Sequence, residues 1–293
     1  MEPGAAGAPR RCRTVTEGAE GAYAHVARVG AGPHDRTGRM SREGWAVSSF
    51  AAYLRPSAGD GPGLPHNVAR QLETAIDVGL LSHGDRLPPE SELAAELGVS
   101  TGTLRQALET LRQRGVIETR RGRGGGSFVR AVSKQAPEAV RHELREWGAD
   151  SLRDLGDACA TVIGGAARLA AQRAAGDDVE RLRSLAQQFR AADTADERRR
   201  ADSRFHIEIG VIAHSVRLTQ SIVQLHDELA SLFWMVGGEA EHHPVTESAH
   251  AELVAAIEAA DAEAARAAAM QNVERRVQHL LDLHLDLVVR GES

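Results

Sequence analysis

The sequence predicts a mainly α protein, an N-terminal winged helix–turn–helix followed by an all-α bundle of about six helices. Three observations predict it. Between Leu87 and Val129, two short helical patterns are joined by Gly98-Val99-Ser100 and followed by a ribbon with a glycine- and arginine-rich tip. From Ser151 to Arg290, Ala and Leu recur at helical spacing with charged residues between them and no strong strand pattern. The chain of 293 residues has room for about two domains, and with 3% aromatic residues their cores must be aliphatic.

Residues 1–65 are rich in Gly, Ala, Pro and Arg without a sustained period, and are expected to be mostly disordered. Trp45–Leu54 is their one apolar patch, and Met40 is an alternative start. The DNA-binding unit is expected over residues 66–132. His66–Gly79 is helical by the spacing of Val68, Leu72, Ala75 and Ile76. Pro88 and Pro89 favour a helix start, and Leu93, Ala94 and Leu97 give Glu90–Leu97 one apolar face. Gly98 suits the left-handed position past its end, and Ser100 suits the N-cap of the next helix. There Leu104, Ala107, Leu108 and Leu111 form an apolar stripe, ended by Gly115. Val116–Thr119 and Ser127–Val132 read as strands around a loop at 120–126. Residues 133–150 form a polar joint containing Pro137, either a linker or a connecting helix. Residues 151–290 are expected to form helices near 151–174, 178–193, 195–213, 216–236, 246–260 and 262–289. The breaks fall at Gly176, Asp193, His214, a Gly237–Pro244 loop and Asp261.

Charge narrows the function. The net charge of −6 argues against a nonspecific nucleic-acid coat, yet Ser100–Arg130 holds seven arginines against Glu109 and Glu118. An acidic protein with one basic face suits a specific DNA-binding regulator. The N-terminal part of a second helix meets base edges, so Ser100, Thr101, Thr103, Arg105 and Gln106 are candidate DNA-contacting residues. In the wing, Arg120, Arg121, Arg123 and Gly124 belong to a cationic tip that can follow a phosphate backbone or enter a minor groove. A phosphate-cradling nucleotide loop is disfavoured there, because no Lys-Ser/Thr ending or following helix is present. Cys12 and Cys159 do not suggest a disulfide framework, no long apolar run exists, and the N-terminus lacks an apolar signal core. The expectation is a cytoplasmic location with no membrane partner.

Within the helical half, Asp202 and His206 project from one helical face, with Phe205 and Ile209 turning that face toward the core. His250 lies on a later helix. One carboxylate and two imidazoles from two helices can hold a divalent metal, or a buried Asp–His pair can simply satisfy itself.

The segment from Asn67 to about Val132 resembles the winged helix–turn–helix of the GntR family of bacterial transcription regulators. The resemblance rests on the LP-x-E-x-ELA box, GVS, TLRQAL and the G-x-GGG-x-FV wing, in that order. It implies base or phosphate contacts from Thr101, Thr103 and Arg105, and minor-groove contact from the wing. Ser91 and Thr101 stand where the family commonly has arginine, which bears on the operator sequence. The helical half resembles the ligand-sensing FCD domain of the FadR-type branch, through DSRFHIEIG and HAELVAAIEAADAEAARAAAM. That resemblance implies a zinc, nickel or manganese site of one Asp and three His. Asp202, His206 and His250 occupy three positions, and Asn272 stands at the expected fourth. Cys159 and Ile163 stand where an arginine and a glutamate usually face the cavity, which implies an effector less acidic, or differently held, than the small carboxylates common in this branch; Arg168 and Arg204 are candidate effector-binding cations or else solvated face residues. His279 lies too far along its helix to replace Asn272, and His214, His226, His242 and His243 are expected at surfaces or helix ends.

The leading reading is therefore a homodimeric regulator that binds a palindromic double-stranded DNA operator. It represses a promoter, and a small-molecule effector, a carboxylate among the options, modulates it. The alternatives are a regulator whose helical domain only dimerises, and a metal-dependent enzyme using Asp202, His206 and His250 with His214 or Glu208 as base. The enzyme reading is rejected, since no metalloprotease helix motif is present.

Overall fold

The computed structural model describes residues 65–130, 137–235 and 239–290, so the expectations for residues 1–64 lie outside it. The chain begins with α1 (Pro65–Asp77), α2 (Glu90–Leu97) and α3 (Thr101–Gln113), followed by the hairpin β1 (Ile117–Arg120) and β2 (Gly126–Val129). Gly98 closes α2 at φ 69°, and the Ser100 hydroxyl accepts the Thr103 N–H to start α3. Val68, Leu72 and Ile76 of α1 share one core with Leu93 and Leu97 of α2 and with Leu104, Leu108 and Leu111 of α3. The hairpin pairs antiparallel, with Ile117 opposite Val129 and Arg120 opposite Gly126. The segment before α2 laces onto it, because Gly84 N–H donates to Val129 and Leu87 N–H to Ser127.

Among the described residues seven further helices follow: α4 (Pro137–Glu146), α5 (Ala149–Arg173), α6 (Gly176–Arg190), α7 (Ala195–Ile212), α8 (Val216–Met235), α9 (Glu239–Glu258) and α10 (Ala262–Arg290). Of the two readings of the polar joint, the helix is the one formed. The expected Gly237–Pro244 loop is corrected, because Pro244 lies inside α9. Proline removes one backbone donor, and this helix runs on past the loss. The long helices α5 and α10 lie against each other, and α7 packs against α5, α6 and α8. Gly156 explains the close approach of α5 to α10. A Cβ there would lie 2.6 Å from Val277 Cγ2.

The two units touch through α7 and α8. Arg199 donates to the Asp77 carbonyl at the end of α1. Arg204 donates to the Gly79 carbonyl at 2.5 Å and to the Ser82 hydroxyl at 2.7 Å. From α8, Asp227 accepts from the Thr74 hydroxyl at 3.1 Å. Gly79 is required at this seam. Its φ is 76°, and a Cβ would meet Arg200 Cβ at 2.8 Å.

Candidate functional sites: a basic helix and wing, and a buried carboxylate–histidine cluster

The first site is the exposed end of α3 with its wing. Arg105 is exposed and ion-paired with Glu90 of α2, Nε to Oε2 at 2.7 Å. The Ser100 and Thr103 hydroxyls lie 2.8 Å apart, so both are engaged in the cap, while Gln106 stands exposed. In the wing, Arg120 pairs with Glu118 at 2.7 Å and covers the Phe128 ring at 4.4 Å, whereas Arg121, Arg123 and Gly124 are exposed at the tip. The Arg105–Glu90 pair is a surface pair, worth little in water and readily exchanged for a stronger anion.

The second site lies inside the bundle and begins with α7. Thr194-x-x-Glu197 is a capping box that starts this helix: the Thr194 hydroxyl accepts the Glu197 N–H at 3.2 Å, and Glu197 accepts the Thr194 N–H at 3.1 Å. Two turns on, Asp202 and His206 are fully buried together beside Phe205. His250 arrives from α9 and Asn272 from α10, both buried. Ligand atoms of Asp202, His206 and His250 lie within 4.8 Å of one another, so the cluster has donors that could hold a metal ion. Burial lowers the pKa of His206 and His250, and the Asp202 charge only partly opposes this, so both rings are neutral. For Asp202, burial alone would raise the pKa. The Arg276 charge, with hydrogen bonds from His250 and Arg276, outweighs it and holds the carboxyl well below the usual range.

The fold brings three further residues here. Arg276 of α10 grips Asp202 with both terminal nitrogens, Nη1 to Oδ2 and Nη2 to Oδ1, each at 2.6 Å. Trp234 Nε1 donates to Oδ2 at 3.1 Å. His226 of α8 is buried with Nε2 3.8 Å from Oδ2 and Nδ1 3.3 Å from the Ser203 hydroxyl. Its pKa falls to about 4 through burial, against the pull of Asp202. The expectation of a surface or helix-end His226 is thus corrected, because α8 turns that face inward. His214 does end a helix, exposed at φ 48°. His243 stacks on Phe189 and His279 lies edge-on to Phe233, while the side chain of His242 is outside the described residues.

The structure pairs both effector-binding candidates with groups outside the cluster. Arg168 sits at the surface, paired with Glu263 at 2.9 Å, and Arg204 is spent on Gly79 and Ser82. Cys159 and Ile163 are buried, and burial pushes the Cys159 thiol up to about 12. Glu208, named as a base in the enzyme reading, is buried and paired with Arg181 at 2.8 Å.

The donor types suit the metal that the resemblance implies, but the arrangement does not fit it. A divalent ion would share Asp202 with a guanidinium already seated on both oxygens. Unit charges 4 Å apart interact by about 4 kcal/mol at an effective dielectric near 20, and a divalent ion doubles that repulsion. Arg276 was not singled out from the sequence, although it lies four residues after Asn272 on the same helical face.

Comparison with known proteins bears on both sites. The profile of bacterial regulatory proteins of the gntR family matches residues 64–126, and that of the FCD domain matches residues 154–275. A protein of Mycobacterium gastri described as the HTH-type transcriptional regulator RmpR is 40% identical over 226 residues, covering 75% of this chain and 81% of that protein. The Glc operon transcriptional activator of Escherichia coli is 28% identical over 229 residues, covering 75% of this chain and 89% of the activator. Among solved structures, a GntR-family regulator from Pseudomonas syringae is 20% identical with a TM-score of 0.43, covering 84% of this chain and 98% of the other. A winged helix–turn–helix joined to a helical FCD domain, with a relative of this identity matched over most of its length, places the chain in the GntR family of transcription regulators, in its FadR-type branch, and not among enzymes.

Proposed function

We propose that this regulator binds a palindromic operator in double-stranded DNA as a homodimer, and that a small molecule in the helical domain sets its operator affinity. A single recognition helix reads few base pairs, and two-fold symmetry doubles the contacts. The observation that carries the reading is the placement of α7. One set of its residues, Asp202, Ser203 and His206, enters the buried cluster, and another, Arg199 and Arg204, holds the DNA-binding unit. A ligand that moves α7 thus moves the seam beneath α1. Since coupling is reciprocal, DNA weakens effector binding by the factor that effector weakens DNA binding.

Contacts to DNA are assigned to Ser100, Thr101, Thr103, Arg105, Gln106, Arg120, Arg121, Arg123 and Gly124. Ser100 acts chiefly through the cap. A small carboxylate is one effector class to screen, beside neutral or larger ligands, because Arg168, Arg204 and Arg276 all have partners within the protein. Zinc, nickel and manganese are the ions that an imidazole and carboxylate set would suit. The proposed location is the cytoplasm; no described helix is long and apolar enough to cross a membrane. Repression by promoter blocking is the proposed output. A relative bears the name of an activator, so the sign of regulation must be read from a promoter assay.

The test selects an operator from a random DNA pool and measures its affinity by fluorescence anisotropy. Arg105→Ala should weaken binding by about 1–3 kcal/mol and relax specificity at one base position. Arg121→Ala and Arg123→Ala should instead flatten the salt dependence, by about 0.9 in slope for each phosphate no longer neutralised. Unchanged affinity in Arg105→Ala removes that residue from the readout. One observation favours a second reading, in which the helical domain only dimerises: Asp202 is already satisfied by protein donors. In that case no small molecule in the screen alters operator affinity.

A further inference from the structure

We propose that the cation at the centre of this FCD domain is the Arg276 guanidinium, and that it replaces a divalent metal ion instead of accompanying one. An ionised carboxylate offers about four lone-pair positions. Those of Asp202 are taken by Arg276 Nη1 and Nη2, Trp234 Nε1 and His250 Nε2, at 2.6, 2.6, 3.1 and 3.0 Å. The histidines agree. His206 Nδ1 lies 2.8 Å from the Asp202 carbonyl oxygen, so it carries the proton and leaves the Nε2 lone pair as acceptor. A metal would use that lone pair. Here the Asn272 amide nitrogen faces it at 3.5 Å, in position to donate weakly. His250 directs Nε2 at a carboxylate oxygen, so that nitrogen bears hydrogen. Asp202, His206 Nε2 and His250 Nε2 therefore each face a hydrogen-bond partner, while His250 Nδ1 is buried without one. Two residues on one face of α10 produce this: Asn272 supplies a donor, and Arg276, one turn on, supplies the charge.

The site thus keeps a positive charge beside Asp202 but changes its kind, from an exchangeable ion to a tethered planar fork. A chelator cannot remove this cation. The inference holds whether or not the chain binds an operator, and its test reads metal alone.

Full-length tag-free protein is dialysed against chelator and then offered Zn²⁺, or Co²⁺ as a spectroscopic probe. Bound metal, the visible Co²⁺ bands and the shift in Tm are recorded. Wild type should retain no stoichiometric ion and show no Tm shift. The double variant Asn272→His with Arg276→Ala should bind about one equivalent. Together the two changes should raise zinc affinity by at least about 100-fold, the upper end of what a hydrogen bond supporting a metal ligand is worth. Asn272→His alone should remain close to wild type, because the guanidinium still holds Asp202; this arm decides the matter even if the double variant folds poorly. Near one equivalent in wild type, lost in Asp202→Ala, would overturn the proposal. So would tight binding by Asn272→His with Arg276 in place.

Discussion

At the residue scale, Asp202 and Arg276 form a buried, bidentate ion pair. Both are buried, and the fork geometry of 2.6 Å on each oxygen is that of a strong bidentate ion pair. Removing one partner leaves the other charged in an apolar interior, which typically costs about 3–5 kcal/mol, whereas removing both costs much less. Asp202→Asn and Arg276→Gln should each lower the unfolding free energy read from urea titrations by an amount of that order. The double variant should fall well short of their sum, and strict additivity in this cycle would sink the idea that the two charges hold each other. Most of this site was legible in the sequence. The spacing of Asp202 and His206, and the apolar residues beside them, put both on one inward face. Arg276 escaped because arginine on an Ala-rich amphipathic helix usually reads as a solvated residue, and its burial depends on where α10 lies against α5 and α9. His226 escaped for the same reason: a lone histidine in a helix carries no sign of which way it turns.

At the scale of elements, the close packing of α5 on α10 depends on small residues. Overpacking of this kind costs about 1–3 kcal/mol. Gly156→Ala places a Cβ against Val277, so it should lower the thermal midpoint, and Val277→Ala should restore part of the loss. If Gly156→Ala melts like wild type, the two helices are looser than their spacing implies. Local chemistry made nearly every element readable. Glu90–Leu97 came out with the predicted bounds because Pro89 and Gly98 punctuate it. The α7 start is encoded by Thr194 and Glu197, and the wing by its glycines. Pro244 misled, because proline marks a break only when nothing else holds the helix together, and here α9 packs on α6 and α10. What single-residue patterns could not give was the seam between the two units, since Arg199, Arg200 and Arg204 look like an ordinary charged helix face.

At the scale of the whole molecule, that seam ties the two sites together. Neighbouring residues face opposite ways on two helices: Ser203 with His226 borders the cluster, while Arg204 and Asp227 hold the DNA-binding unit. A shift of α7 against α8 cannot leave the seam unchanged. The seam also carries a charge conflict. Burial, with the nearby negative charge of Asp77, pushes the Asp227 pKa up to about 7, against the Thr74 hydrogen bond and Arg199. An acid raised in the folded state contributes stability that is fully present below its unfolded pKa of about 3.9 and lost as pH rises through about 7. The protein should therefore lose stability between about pH 4 and pH 7 on account of this group. Asp227→Asn keeps an acceptor for Thr74 and has no charge to bury. It should be more stable than wild type at pH 8, by at most about 4 kcal/mol, with the gap narrowing as pH falls towards 4. Urea midpoints of the two proteins across that range provide the check. Equal midpoints at pH 8 would show that Asp227 ionises freely in the folded state. The seam would then be open to water, and the link from the buried cluster to the DNA-binding unit would have to run through α7 alone.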